Sequence, residues 1–176
     1  MSRLGYACIN MTLGGPDVRP KHSKVTTNRS LILATARRDG LPYIALLAHR
    51  NAIDLEAIIH WNHAHGITLY RLSSDMFPFM SHPEFNYRIE DLDEFLPDGT
   101  SIVAIMQRIG AYVLDNGHRL STHPGPYNVL ASPKPEVVDK AIMDLDSHAH
   151  IFDTLGLPAD HNTKINIHVG GAYGDK

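Results

Sequence analysis

Apolar residues along this chain recur in two periods. Short runs rich in β-branched and aromatic residues alternate with longer stretches whose apolar positions fall three and four apart, the spacing of one helical face. Arg3-Leu4-Gly5-Tyr6-Ala7-Cys8 reads as a first strand, followed by a turn-rich segment containing Gly14-Gly15-Pro16-Asp17 and Arg19-Pro20. Helical spacing then runs from Pro42, tolerated in a first turn, through Ile44, Leu47, Leu55, Ile58 and Ile59 to a stop at Gly66. Ile67–Leu72 is strand-like. A second helix is expected from the Asp98-Gly99-Thr100 region, through Ile102, Ile105, Met106 and Ile109, to Gly117, and Arg119–His123 follows as a strand. A third helix is expected after Ser132-Pro133, ending by Gly156, with Lys164–His168 as the fourth strand.

The order β-α-β-α-β-α-β implies a parallel sheet with helices outside. The chain contains neither Gly-x-Gly-x-x-Gly after its first strand nor a Gly-x-x-x-x-Gly-Lys-Ser/Thr loop, which removes support from the nucleotide-binding open sheets. The expected fold is therefore α/β of the (β/α)₈ TIM-barrel type. A full barrel needs about 250 residues, so only about the first four βα units are present, with residues 1–176 as the N-terminal half of a single domain.

Composition changes this picture little: 43% apolar and 20% charged residues are ordinary for a globular chain. The start lacks a signal-peptide stretch and no apolar run is long enough to span a membrane, so an intracellular protein is expected, with no membrane contact and no obligate protein partner. The single cysteine, Cys8, cannot form an internal disulfide and reads as a small packed residue. The net charge of −3 argues against a uniformly basic surface, yet Val18–Arg38 carries Arg19, Lys21, Lys24, Arg29, Arg37 and Arg38 without an acid. Such a run is usually a solvated face. Its departure from the first strand toward the catalytic end of the fold makes Arg19, Lys21, Lys24 and Arg29 candidates for phosphate contact.

Among 12 histidines, His49, His60, His63, His65, His148 and His150 fall in helices or at their ends and read as exposed or helix-terminal. Three others differ. His123 closes the third strand, His168 closes the fourth, and His82, in Ser81-His82-Pro83, lies in the loop region after the second. Parallel barrels place functional groups at the carboxyl ends of their strands, so these three imidazoles would share one rim as ligands for a divalent transition metal. Sugar isomerases, abasic-site endonucleases and other nucleases all build metal sites this way, so position alone leaves these alternatives open, along with a noncatalytic DNA-binding fragment.

The wording of the motifs goes further. Leu4-Gly5-Tyr6, Thr27-Asn28-Arg29, Tyr70-Arg71-Leu72-Ser73, Ser81-His82-Pro83, His123-Pro124-Gly125 and Ile167-His168-Val169-Gly170-Gly171-Ala172-Tyr173-Gly174 resemble, in order, the UV damage endonuclease family. The resemblance implies a (β/α)₈ enzyme that nicks double-stranded DNA on the 5′ side of ultraviolet photoproducts. It implies a cluster of divalent metals, typically Mn²⁺, whose bound water is the nucleophile. On this resemblance His82, His123 and His168 match metal ligands, Tyr6 and Tyr127 match aromatics that face the damaged bases, and Asn10 lies in a matching substrate loop. Pro126 departs from the pattern: many members carry glutamine there, and a proline would act as an apolar wedge or only stiffen the loop. Family members also continue through further strands that supply carboxylates and histidines, so the chain by itself is expected to be inactive.

Overall fold

The computed structural model of the chain describes residues 3–167. Four parallel strands, β1 (Gly5–Ala7), β2 (Leu69–Leu72), β3 (Arg119–Thr122) and β4 (Thr163–Ile165), pair in sequence order β1-β2-β3-β4. A short helix α1 (Met11–Gly14) and the long α2 (Leu33–Ala64) connect β1 to β2, α3 (Ile102–Asp115) connects β2 to β3, and α4 (Pro135–Leu155) connects β3 to β4. This is the (β/α) repeat of a partial TIM barrel.

Side-chain alternation sorts the strand residues between two faces. Tyr6, Tyr70 and Leu120 share one register row, and Leu72 and Thr122 share another. Contacts assign these rows to the helix side: the Tyr6 hydroxyl reaches Asn62 of α2, and Thr122 reaches His148 of α4. The intervening row, Ala7-Arg71-Ser121-Lys164, therefore lies on the opposite face, the interior of a closed barrel. Its polarity suits that face, whereas the helix-facing rows join Ile44, Leu55, Ile58, Ile59, Ile102, Met106, Ile109, Ile151 and Leu155 in one apolar core.

The first large helix begins nine residues before its expected start at Pro42. Gly40 explains the difference: its φ of 65° and ψ of −161° break the helical path, so a Leu33–Asp39 segment precedes the break and Pro42 occupies the first turn after it. The first and fourth strands are shorter than expected. Cys8 lies beyond β1 at a φ of 59°, and only the Asn166 amide, bonded to the Thr122 carbonyl at 2.9 Å, extends the ladder past β4. The acidic segment before α3 forms a 3₁₀ helix (Ile89–Phe95), in which Asp93 accepts from the Ser101 hydroxyl and the Ile102 amide, both at 2.6 Å. An acid is thus spent on capping α3. Gly110 lets α3 and α4 meet, since a Cβ there would fall 1.6 Å from the Leu155 carbonyl oxygen. Gly156, in the left-handed region at φ 69°, closes α4 at its expected end.

Candidate functional site

The loops leaving β2 and β3 come together against α4 and enclose a cleft of about 790 Å³. Phe77, Phe79, Met80 and Ile151 make part of its wall apolar, while His82, Tyr127, Asp144 and His148 bring polar groups to it. Two of the expected site residues, His82 and Tyr127, thus line the same cavity from different loops.

His82 is partly buried between Phe79 and Phe85, with ring centroids 5.7 and 5.6 Å away. Its Nδ1 accepts from the Glu84 amide at 3.2 Å, so a neutral ring in this pose carries its proton on Nε2. Glu84 in turn receives a two-pronged contact from Arg37 at the start of α2, Nε at 2.8 Å and the second nitrogen at 2.5 Å. That guanidinium holds the Glu84 carboxyl below the usual carboxylate range. On the other flank, the Ser81 hydroxyl donates to Asp144 Oδ1 at 2.8 Å. The histidine loop is therefore tied to α2 on one side and to α4 on the other.

The β3 loop uses the same acid. The Asn128 side-chain amide donates to Asp144 Oδ2 at 2.6 Å and to the Gly125 carbonyl at 3.1 Å. Tyr127, next to this anchor, projects with 89% of its surface exposed, and Pro126 beside it is exposed as well. His148, one turn after Asp144, is 3% exposed, its Nε2 is 3.7 Å from Asp144 Oδ2, and its Nδ1 is hydrogen-bonded to the Thr122 hydroxyl. Burial pushes the His148 pKa down, Asp144 opposes that shift, and His123 adds to it.

His148 and His150, which read as exposed or helix-terminal, are buried on α4. His150 packs into the 3₁₀ segment, where Arg88 approaches its Nδ1 at 2.9 Å and Glu90 its Nε2 at 3.0 Å. Helical spacing contained the signal. Ala141, Asp144, His148, Ile151 and Leu155 follow one stripe of α4, so the polar members belong to the face that meets the sheet and loops. His60, His63 and His65 are exposed as expected, and His49 is partly buried.

His123 directly follows β3 and, by alternation from Ser121, faces the barrel interior at the carboxyl rim. His168 lies outside the described residues. Among the described residues no three His, Cys, Asp or Glu side chains gather as a metal-binding group. As imidazoles, His82 and His123 are each suitable donors for a divalent transition metal, with further ligands needed to complete a site.

Tyr6 and Asn10 occupy a different environment. Tyr6 donates to Asn62 Oδ1 at 2.6 Å, Asn10 Nδ2 donates to the Tyr6 hydroxyl at 2.8 Å, and Asn10 Oδ1 caps α1 through the Thr12 and Leu13 amides. Burial raises the Tyr6 pKa, which keeps the phenol protonated. Asn10 is buried, and the pair stands beneath the β1 loop at the α2 side of the sheet.

The basic stretch is largely internally committed. Arg29 pairs with Asp54 of α2 at 2.7 Å and donates to the Thr26 and Lys24 carbonyls at 2.6 and 2.9 Å. Arg19 folds onto the carbonyls of Pro16 and Val18, and Arg37 and Arg38 pair with Glu84 and Asp39. Lys21 is exposed and Lys24 partly so. No helix among the described residues is long and apolar enough to cross a membrane.

This geometry has close counterparts. The backbone matches the crystal structure of SacUVDE with a TM-score of 0.76 at 30% identity, over 97% of this chain and 50% of that one. The sequence is 36% identical over 176 residues to a UV-damage endonuclease of Schizosaccharomyces pombe, covering 99% of this chain and 27% of the relative. It is 40% identical over 201 residues to a UV-damage endonuclease of Neurospora crassa, covering 99% and 29%, and 34% identical over 174 residues to a UV DNA damage endonuclease of Bacillus cereus, covering 99% and 50%. The chain thus spans half or less of the length of these relatives. The family model described as UV-endonuclease UvdE matches residues 2–176, and the chain belongs to that family.

Proposed function

We propose that this chain forms the N-terminal half of a barrel domain in an intracellular DNA repair endonuclease, which nicks duplex DNA 5′ of ultraviolet photoproducts by metal-dependent phosphodiester hydrolysis. The observation that carries this reading is the family match across residues 2–176, the whole of the sheet and both rim loops. It argues against the isomerase and abasic-site alternatives that a rim of histidines leaves open.

His82, His123 and His168 would hold the metal, with Mn²⁺ the favoured ion. A divalent ion bound there would supply a water acidic enough to act near neutral pH and would offset charge at the phosphate. The remaining work falls to protein side chains. Tyr127, exposed at the mouth of the cleft, offers a face on which an unstacked base can rest. Pro126 offers a rigid apolar edge for the opened step. A damaged step costs less to unstack than an intact one, so the same pair favours lesions. Lys21 and Lys24 would meet phosphates, and so would Arg19 and Arg29 if they exchange their present carbonyl and carboxylate partners; such contacts weaken steeply with salt. Tyr6 and Asn10 would approach DNA through the β1 loop they support. Because His82, His123 and His168 without carboxylate partners do not make a multi-metal phosphodiester-cleaving site, the 176-residue chain alone is expected to bind damaged duplex without cutting it.

A chimera tests this reading: the chain replaces the matched segment of the Bacillus cereus relative and is incubated with irradiated supercoiled plasmid and Mn²⁺. Relaxation of irradiated but not unirradiated plasmid is expected, lost on chelation and in H82A and H123A. A folded chimera that leaves irradiated plasmid intact contradicts the proposal.

A further inference from the structure

Asp144 receives the two rim loops on opposite oxygens. Oδ1 accepts from Ser81, the neighbour of His82, at 2.8 Å, and Oδ2 accepts from Asn128, the neighbour of Tyr127, at 2.6 Å. Neither loop is held by regular secondary structure at these positions, and each places its functional side chain one residue from the anchor. The acid itself stands on a 21-residue helix whose inner stripe is locked into the core by Ala141, Ile151 and Leu155, so it is a rigid reference point. His148, fixed to Thr122 at the end of β3, backs the same carboxylate from beneath. Since Thr122 precedes His123, one connected set of side chains reaches from the His82 loop, through α4, to the end of the strand that His123 follows.

We propose that Asp144 is a positioning residue that sets the His82 ligand and the Tyr127 base platform at a fixed separation, so that metal capture and lesion contact depend on one two-pronged side chain. This rests on the functional reading above. Either loop could fold without it, but an amide–carboxylate bond and a hydroxyl–carboxylate bond from one side chain define the distance between the loops, as two independent anchors would not.

The prediction is separable because Ser81 and Asn128 are separate branches. In the 176-residue chain, D144A should speed amide hydrogen exchange in both 79–86 and 125–131, S81A only in the first, and N128A only in the second. D144N should stay near wild type, because its carbonyl accepts from Asn128 while its amide donates to the Ser81 hydroxyl. Titration with Mn²⁺ should show about 10–100-fold weaker binding in D144A and S81A, the usual loss when support of a ligand is removed, and little change in N128A. Binding to irradiated relative to unirradiated duplex should fall in D144A and N128A and persist in S81A. The proposal is overturned if D144A leaves exchange in both segments unchanged, if D144N behaves like D144A, or if both loops are released while Mn²⁺ and lesion affinity stay at wild-type levels. A wild-type chain that binds neither Mn²⁺ nor irradiated duplex would count against the functional reading alone, and the exchange pattern would still decide whether Asp144 couples the loops.

Discussion

Tyr127 and Tyr6 show how differently two tyrosines of one site can be used. Tyr127 stands almost fully in solvent at the cleft mouth, where an aromatic ring has no packing reason to be, whereas Tyr6 spends its hydroxyl on Asn62 and Asn10. Base stacking is worth about 1–3 kcal/mol per base, so Y127A should lower the preference for irradiated duplex by roughly fivefold or more with no loss of thermal stability. Binding to the two duplexes, followed by fluorescence anisotropy, checks this; an unchanged preference removes Tyr127 from lesion contact. Which residues carry chemistry was only partly legible in the sequence. His82 stands out by its place in the loop after the second strand and Tyr127 only by the family resemblance, and both line the cleft. Arg29 looked like its basic neighbours because its partner, Asp54, is 25 positions away and reaches it only after α2 folds back. His148 and Asp144 were hidden for the opposite reason: polar residues on a helix read as solvent-facing until the apolar residues at the same phase are lined up beside them.

Helices and strands were legible wherever a local device ends them. Gly66, Gly117 and Gly156 all adopt positive φ at the stops their positions suggested, and β2 and β3 begin within a few residues of the first two. The Leu33–Asp39 segment was not legible, whereas the expected start at Pro42 is the first turn of the helical stretch that follows the break at Gly40. Nor was the 3₁₀ helix, whose acids look like surface charge until Asp93 is found on the Ser101 hydroxyl and Ile102 amide. The α3–α4 contact depends on the absence of a side chain at Gly110. G110A would force its methyl into the Leu155 carbonyl oxygen, and overpacking of this kind costs typically about 1–3 kcal/mol. Urea unfolding should show a lower midpoint at unchanged slope, and a wild-type midpoint would mean that α4 shifts away freely.

Across the fold, buried neutral histidines link stability to pH. Burial lowers the pKa of both His118 and His148 from an ordinary 6.5, with His63 and Arg3 adding to the effect at His118. Below about pH 6.5 the unfolded chain takes up protons that the folded chain resists, so the stability these rings contribute is complete above that pH and is lost as pH falls toward their lowered folded values. Thermal unfolding temperature should therefore hold steady from pH 8 to about 7 and decline below about 6.5, and the decline should be shallower in H148Q, whose amide can still bond Thr122. An equal slope in H148Q would mean that His148 is not the group responsible.

His123 directly follows β3 and His82 lies in the loop after β2, and the proposed metal site requires those two rings to serve the same ions. The most direct test is a crystal of the chain grown with Mn²⁺, with diffraction recorded on both sides of the manganese absorption edge. An anomalous peak at bonding distance from ring nitrogens of His82 and His123 is the predicted result. Rings that point apart, with manganese bound elsewhere or not at all, would contradict it.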